Sequence, residues 1–299
     1  MTNELFRNED LEQFMKYCTV EQDSCIACGS KKNVLWATSG SYKAVQCPSC
    51  KLIWMNPYLN NEGLKKYYTD YIGKRRINNE LKMEQRKVQY VQDGAFIENY
   101  IDKGSVLDVG CNGGFFLDVL NNNFDKYGVE IDSEAVAFAR KNQSFGENIQ
   151  CCDLENSKFD ENQFDLITMR GSIEHVPDPV NSIELVSKLL KSGGYYYVTA
   201  TPNGDSYSAD LYRDKWTLFH PVQHIWHFSQ DTLSLICKRY GLKLIASDFP
   251  YLGTPYENAP ENIKSVADAV KEKESNPNAE LPVSPAFWEN MMSLVFKKE

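Results

Sequence analysis

The sequence predicts a doubly wound α/β fold with a mostly parallel sheet, preceded by a small cysteine-bearing module and a helical connector. Between residues 105 and 247, short β-rich runs alternate with helical patterns. Such alternation is typical of parallel strands joined by helices on both faces of a sheet. The first run ends in a glycine-rich turn that opens a helix, which lets backbone approach a ligand closely. We therefore expect a ligand at the carboxyl ends of the strands.

Turn-forming residues and changes in composition divide the 299-residue chain into three predicted parts. Residues 1–60 form an N-terminal segment and a zinc ribbon. Residues 61–102 are rich in Lys, Glu, Gln and Tyr with spaced apolar residues, which is typical of helices, and form a connector. Residues 103–299 form the α/β domain.

Two stretches of that domain do not follow the alternation of strand and helix. Residues 202–228 and 250–288 are long, and long irregular stretches in compact domains are usually functional or disordered. We predict that they form lids over a substrate. The last run, NMMSLVFKK, is predicted to be a strand that closes the edge of the sheet.

Composition and charge limit the partners of the chain. No apolar run approaches the roughly 20 residues that span a bilayer, and the first residues lack the features of a signal peptide, so a cytoplasmic location without membrane insertion is expected. A net charge of −9 offers little attraction for nucleic acid, whose affinity depends on Lys and Arg. The basic stretch from Lys65 to Lys87 is interpreted as a solvated helix face. We expect a small-molecule partner.

Four of the nine cysteines form two C-x-x-C pairs separated by 18 residues: Cys25, Cys28, Cys47 and Cys50. This spacing is typical of zinc sites. Four thiolates complete the tetrahedral shell of Zn²⁺ and leave no position for water or substrate, so the metal is predicted to be structural. The alternative is four buried cysteines without a metal.

The glycine-rich turn runs from Val106 to Gly114 in the order V-L-D-V-G-C-N-G-G. A nicotinamide-binding fingerprint would read G-x-G-x-x-G and direct a helix N-terminus at a pyrophosphate. Here Asp108 precedes the turn, and an acid at that place repels phosphate and suits a cationic amino-acid cofactor.

This turn resembles the first motif, D-x-G-x-G-x-G, of class I S-adenosylmethionine (SAM) methyltransferases. Asp108, Gly110 and Gly114 match it, and Cys111 lies between them. Asn112 stands where the family most often has its middle glycine, and Asn tolerates left-handed backbone. The resemblance implies a seven-stranded Rossmann-like sheet and SAM as the cofactor.

Later motifs extend the resemblance over about residues 88 to 249. It implies that Glu130, followed by Ile131, binds the ribose hydroxyls, and that Asp153, with Leu154 flanking the base, binds the adenine amino group. Arg170, at the end of the run FDLITMR, completes the predicted cofactor-binding set. For each acid the alternative is that it only caps the next helix.

The wider arrangement is similar to bacterial methyltransferases that modify sugars, nucleotide-linked sugars and other small metabolites. The C-methylating members of that group carry an additional C-terminal domain that this sequence does not show, so O-methylation of a sugar-like acceptor is expected. Removing a hydroxyl proton needs a base, and imidazole suits that task near neutrality. His224 and His175 are the main candidates, followed by His220 and His227, although a histidine beside aromatic residues can also be a packing residue.

Three alternatives stay open from the sequence. Some ubiquinone-pathway relatives are thought to hold a divalent cation with E-x-x-E-H, but Gly171 replaces the first acid here, so only Glu174 and His175 remain and a catalytic metal is not expected. An RNA methyltransferase could use the zinc ribbon to grip nucleic acid, although net charge argues against it. A non-catalytic zinc-containing binding protein is the third reading.

Overall fold

The computed structural model describes residues 11–68 and 80–299, with side chains from residue 86 onward in the second range. In this part of the chain the strands are β1 (Cys18–Val20), β2 (Val34–Ser39), β3 (Tyr42–Gln46), β4 (Ile53–Met55), β5 (Tyr58–Leu59), β6 (Gly104–Val109), β7 (Phe124–Glu130), β8 (Ile149–Cys151), β9 (Phe164–Arg170), β10 (Leu190–Pro202), β11 (Trp226–His227), β12 (Leu242–Asp248) and β13 (Met291–Lys298). The α-helices are α1 (Asn61–Lys66), α2 (Glu80–Glu98), α3 (Phe115–Val119), α4 (Ser133–Asn142), α5 (Pro179–Leu189), α6 (Tyr207–Tyr212), α7 (Gln230–Lys238) and α8 (Ala259–Ser275).

The chain forms two compact units, each assembled from three stretches of sequence. Unit 1 comprises Met1–Asn78, Pro202–Thr232 and Tyr256–Asn290, and unit 2 comprises Asn79–Thr201, Leu233–Pro255 and Met291–Glu299. The cysteine pairs and most of the two predicted lids thus fall in unit 1. The three-part division made from the sequence stays a prediction.

Unit 2 contains a seven-stranded sheet in the order β12-β13-β10-β9-β6-β7-β8. Strands β10, β9, β6, β7 and β8 run parallel to their neighbours in that series, and β12 pairs antiparallel with β13. This sheet, flanked by helices, confirms the predicted doubly wound, Rossmann-like α/β fold.

The position of the last strand differs from the prediction. β13 lies between β12 and β10, and β12 forms the edge of the sheet. The apolar run Met292 to Phe296 is fully buried, as a strand inside a sheet requires, whereas Ile245 of β12 is 42% exposed. The last strand of the sequence therefore lies inside the sheet and not at its edge.

The core of unit 2 packs against the parallel strands. Val106 and Leu166 on adjacent strands are completely buried, and they share a cluster with Leu117 of α3, Val136 of α4 and Ile97 of α2. α2 belongs to the predicted connector, α1 is a second helix in it, and residues 69–79 between them lie outside the described residues. The basic stretch Lys65–Lys87 falls partly there.

Unit 1 contains a four-stranded antiparallel sheet in the order β11-β4-β3-β2 and a two-stranded pair, β1 with β5. Strand β11 comes from the histidine-rich stretch, where Trp226 lies opposite Trp54 and His227 opposite Ile53. The first predicted lid therefore contributes a strand to the sheet formed by β2, β3 and β4 of the N-terminal segment. Among the described residues, none of the helices is long and apolar enough to cross a bilayer.

Candidate cofactor site and cysteine cluster

The carboxyl ends of the parallel strands in unit 2 bring the predicted acids to one edge of the sheet. In the register of β6 and β9, Asp108 lies opposite Thr168. The Thr168 hydroxyl donates a hydrogen bond of 2.6 Å to the Asp108 carboxylate. Burial raises the pKa of Asp108 to about 7, although the hydrogen bond from Thr168 opposes that rise. Asp108 is thus a buried carboxyl with a fixed orientation.

The glycine-rich turn after β6 adopts left-handed backbone at three residues. The φ angles are 79° at Gly110, 49° at Asn112 and 77° at Gly114, and the first of these turns the chain close to Ser172. A Cβ at Gly110 would lie 3.1 Å from the Ser172 Cβ. Asn112 occupies the conformation that glycine adopts most readily, in agreement with its place in the motif.

Glu130 at the end of β7 organises this turn. One carboxylate oxygen accepts a hydrogen bond of 2.8 Å from the backbone N–H of Asn112, and the other accepts one of 2.9 Å from the N–H of Asp132. Ile131 between them is 59% exposed. Cys111 is buried, and burial raises the pKa of its thiol, which therefore stays protonated at neutral pH.

Asp153 follows β8 and is bonded locally. Its carboxylate accepts hydrogen bonds from the backbone N–H and the side-chain amide of Asn156, at 2.9 and 2.7 Å. Leu154 beside it is buried. Asp153 thus stabilises the turn that follows β8.

Arg170 at the end of β9 has two partners that sequence reasoning missed. Its Nε donates a hydrogen bond of 2.8 Å to Asp93, and its guanidinium carbon lies 4.2 Å from the centre of the Tyr90 ring. Both partners come from α2. The signal in the sequence is their spacing of three residues, which puts them on one face of a helix, but it does not say what that face contacts.

Glu174 and His175 lie in a short 3-10 turn after β9, in unit 2. The Glu174 carboxyl is buried and accepts a hydrogen bond of 3.2 Å from the Thr201 hydroxyl. Burial raises the pKa of Glu174 to about 8. The His175 Nε2 lies 3.7 Å from a Glu174 carboxyl oxygen, and the His175 side chain is 17% exposed.

The other histidines belong to unit 1. His224 is buried, and its Nδ1 lies 2.8 Å from the carbonyl oxygen of Leu218. The ring of His220 lies 4.8 Å from that of His224, and burial lowers the pKa of His220 to about 4. His227 packs among Trp36, Trp216 and Phe219, with ring centres 5.5 to 6.3 Å from its own. His227 is thus a core residue of this unit.

The four paired cysteines, also in unit 1, converge on one point. Their sulfur atoms all lie within 4.8 Å of one another, with 3.4 Å between those of Cys25 and Cys50 and 3.5 Å between those of Cys28 and Cys47. Zn–S bonds of about 2.3 Å in a tetrahedron place sulfurs roughly 3.8 Å apart, so the cluster is close to the size that zinc needs.

Both pairs lie on turns of the same design. The N–H of Gly29 donates to the Cys25 carbonyl at 2.7 Å, and the N–H of Lys51 donates to the Cys47 carbonyl at 2.9 Å. Each donor is the fourth residue after its cysteine and has a positive φ, 77° at Gly29 and 69° at Lys51. The repeated turn explains why the spacing alone predicted this cluster.

The fold and the strand-end site define the chain as a Rossmann-like methyltransferase. The sequence profile of a family described as methyltransferase domain matches residues 83–247, more than half of the chain. The chain therefore belongs to this methyltransferase-domain family.

Two curated relatives are similar in sequence. A ubiquinone biosynthesis O-methyltransferase from Coxiella burnetii is 35% identical over 119 residues, covering 38% of this chain and 51% of the relative. One of the same description from Aliivibrio fischeri is 28% identical over 127 residues, covering 40% and 53%. The chain thus spans about half the length of the curated relatives it matches.

Two solved structures share the fold. A SAM-dependent methyltransferase from Thermotoga maritima has a TM-score of 0.54 at 17% identity and covers 79% of this chain and 100% of its own. A chain of a complex between the Haloferax volcanii Trm112 methyltransferase activator and a methyltransferase has a TM-score of 0.55 at 15% identity, covering 79% and 96%. At these identities the likeness supports the fold alone.

Proposed function

We propose that this chain transfers a methyl group from SAM to a hydroxyl group of a small molecule. The observation that carries the proposal is the strand-end turn of the family-matched segment, where a buried Asp108 precedes three residues with left-handed backbone and Glu130 holds the turn from the next strand. SAM supplies an electrophilic methyl group, and the chain must bind it and orient the acceptor beside it.

The residues of the turn fit an amino-acid cofactor. Glycine is required at position 110 because φ is 79° and a Cβ there would lie 3.1 Å from the Ser172 Cβ. In this proposal Asp108, Gly110, Cys111, Asn112 and Gly114 surround the amino-acid part of SAM.

The nucleoside part of SAM is assigned to the ends of the next two strands. Glu130 and Ile131 contact the ribose, and Asp153 and Leu154 contact the adenine. Arg170 also belongs to the cofactor site and is treated separately below.

His224 and His175 are the proposed general bases. If the Nδ1 of His224 donates to the Leu218 carbonyl at 2.8 Å, its Nε2 carries no proton and can accept one from a hydroxyl. The Nε2 of His175 lies 3.7 Å from a Glu174 carboxyl oxygen, which can orient the ring so that Nδ1 takes the proton. Each assignment rests on its own unit and is tested separately.

The acceptor is proposed from two facts. The curated relatives are named for O-methylation in ubiquinone biosynthesis, which favours a hydroxyl acceptor. The net charge of −9 favours a small molecule over nucleic acid. A sugar or nucleotide-linked sugar is our preferred acceptor class, and residues 202–228 and 250–288 are the proposed lids that select it.

Zn²⁺ is proposed as a second, structural cofactor in unit 1. The sulfur–sulfur distances of 3.4 and 3.5 Å support a tetrahedral thiolate shell. Such a shell has no open position, so the ion would stabilise the turns that carry Cys25, Cys28, Cys47 and Cys50 without taking part in methyl transfer.

The test is a methyl-transfer assay with SAM carrying a labelled methyl group and a panel of hydroxyl-bearing sugars, nucleotide sugars and phenols. We expect label in a hydroxyl compound, loss of turnover in His224→Ala or His175→Ala, and unchanged SAM affinity in both variants. Label in RNA with steep salt dependence would instead support the nucleic-acid alternative. Full activity in both histidine variants would overturn the proposed bases.

A further inference from the structure

Arg170 is the cation at the carboxyl end of β9, and its guanidinium is held from two directions. Asp93 accepts a hydrogen bond of 2.8 Å from Nε, and the Tyr90 ring centre lies 4.2 Å from Cζ. The Arg170 side chain is 15% exposed and that of Asp93 is 3% exposed. A long side chain that usually moves freely is therefore fixed in one orientation.

The support for Arg170 is itself anchored. The Asp93 carboxylate accepts a second hydrogen bond, 3.1 Å from the Gln89 amide, and the Tyr197 hydroxyl donates to the Asp93 carbonyl at 3.2 Å. Gln89 and Asp93 are both buried. Burying an acid and an arginine in this way costs desolvation energy on both sides, so the network is an expensive way to stabilise a helix.

Only Nε of the Arg170 guanidinium is used by this support. Among the described groups, which are residues 11–68 and 86–299 and the backbone of residues 80–85, none accepts a hydrogen bond from its two terminal nitrogens. These two terminal nitrogens, called the Arg170 fork below, present parallel N–H donors that match the two oxygens of a carboxylate.

The nearby acids do not fill this fork. The hydrogen bond from Thr168 goes to Asp108 and that from Thr201 goes to Glu174, whereas the hydrogen bond from Arg170 goes to Asp93. Arg170 nevertheless lies close enough to lower the pKa of both acids, against the larger opposite effect of burial. The fork is thus located beside the strand-end turn in unit 2 and remains available to an added carboxylate.

We propose that the terminal nitrogens of Arg170 bind the α-carboxylate of SAM, and that Asp93 and Tyr90 are positioning residues that aim them. The proposal rests on the proposed function and deepens it, because it gives one end of the cofactor a specific partner. Because Asp93 pairs with Arg170 at Nε, the fork distinguishes a carboxylate from other ligand groups by paired hydrogen bonds and by their geometry.

The experiment compares SAM with decarboxylated SAM, which keeps the sulfonium and the amine, by calorimetric titration of the full chain. The wild-type protein is expected to bind the decarboxylated compound on the order of ten- to a hundredfold more weakly, as charge-assisted hydrogen bonds warrant. Arg170→Met is expected to weaken SAM binding by a similar factor and to bind the two ligands alike.

The control variants distinguish the loss of the Arg170 fork from a general destabilisation of the protein. Arg140→Met removes the same group from an exposed position on α4 of the same unit and should keep the wild-type discrimination. Because Arg170→Met leaves the buried Asp93 without its cation, Arg170→Lys is made as well; it keeps the charge, loses the planar fork, and should also lose discrimination.

The positioning role has its own readout, the ratio of the two affinities. Asp93→Asn and Tyr90→Leu should each reduce the ratio several-fold, and Tyr90→Phe, which retains the ring, should preserve it. A merely structural role would lower the melting temperature without changing the ratio.

Three results would overturn parts of this assignment. Equal wild-type affinity for both ligands would overturn the fork while leaving the proposed function standing. Equal weakening of both ligands in the Arg170 variants would overturn the carboxylate contact. A wild-type protein that binds neither ligand would overturn the proposed function together with this inference.

Discussion

The cysteine cluster and the strand-end site assemble in different ways. Each cysteine pair lies on one short turn closed by its own backbone hydrogen bond, from Gly29 to Cys25 or from Lys51 to Cys47. Asp108, Glu130 and Arg170 instead come from three strands and meet because those strands run parallel. The cysteine cluster therefore depends on the proposed zinc ion that joins its two turns. The strand-end site depends on the packed core that holds the three strands in register.

The largest predicted effect is on the local site. Removal of zinc, or the double change Cys47→Ser and Cys50→Ser, should unfold the cysteine-bearing turns, because structural zinc contributes on the order of 10 kcal/mol to such modules. Metal analysis should give one zinc per wild-type chain and none in the variant, and limited proteolysis should cut the variant within residues 18–59.

The matched control is Cys151→Ser with Cys152→Ser, an adjacent cysteine pair in unit 2 and outside the cluster. It should retain zinc and resist the protease. A wild-type chain that lacks metal and still resists proteolysis would show that the cluster does not need an ion.

Gly110→Ala tests the strand-end site. The new Cβ meets Ser172 at 3.1 Å in a backbone conformation with φ of 79°, which should cost about 1–3 kcal/mol and lower SAM affinity at least tenfold. Gly193→Ala introduces similar backbone strain, with φ of 77° and nothing within 4 Å of the added atom. It should destabilise the protein yet bind SAM normally; equal binding by both variants would remove the turn from the site.

Glu174→Gln should change how stability depends on pH. Burial raises the pKa of Glu174 from 4.5 to about 8, so the folded state favours the protonated acid. That stabilisation is complete below pH 4.5 and is lost as pH rises toward 8, whereas Gln stays neutral throughout.

The free energy of unfolding of the variant should therefore rise relative to that of the wild-type protein by about 1 kcal/mol per pH unit between pH 5 and 8. Urea unfolding at several pH values measures this difference. Glu184→Gln removes a half-buried acid whose pKa is lowered by the hydrogen bond from Lys188, and it should show no such gain in this pH range. A difference between Glu174→Gln and the wild type that does not vary with pH would mean that the buried acid is charged in the folded protein.

The smallest predicted effect concerns Asn112. Its φ of 49° suits glycine, so Asn112→Gly should retain SAM binding within about threefold and change stability by under about 1 kcal/mol. Asn112→Val places a β-branched side chain in the same conformation and should weaken binding clearly. Tenfold weaker binding in the glycine variant would show that the Asn112 side chain itself contacts the cofactor.

The same comparison explains what the sequence could predict. The cysteine spacing and the glycine-rich turn depend on local geometry, and the alternation of strand and helix is typical of a parallel sheet. The cysteine cluster, the turn and the sheet could therefore be predicted from the sequence. Asp93 and Tyr90 were missed because helical spacing defines a face without its neighbour. The pairing of Trp226 with Trp54 and the insertion of β13 beside β10 join distant segments, and nothing in either segment alone specifies its partner.

The most direct test of the central claim is titration of the wild-type chain and Glu130→Ala with SAM. The strand-end account predicts one SAM per wild-type chain and at least tenfold weaker binding in the variant, because Glu130 holds the turn through the backbone of Asn112 and Asp132. Absence of binding to the wild-type protein, or equal affinity in the variant, would contradict it.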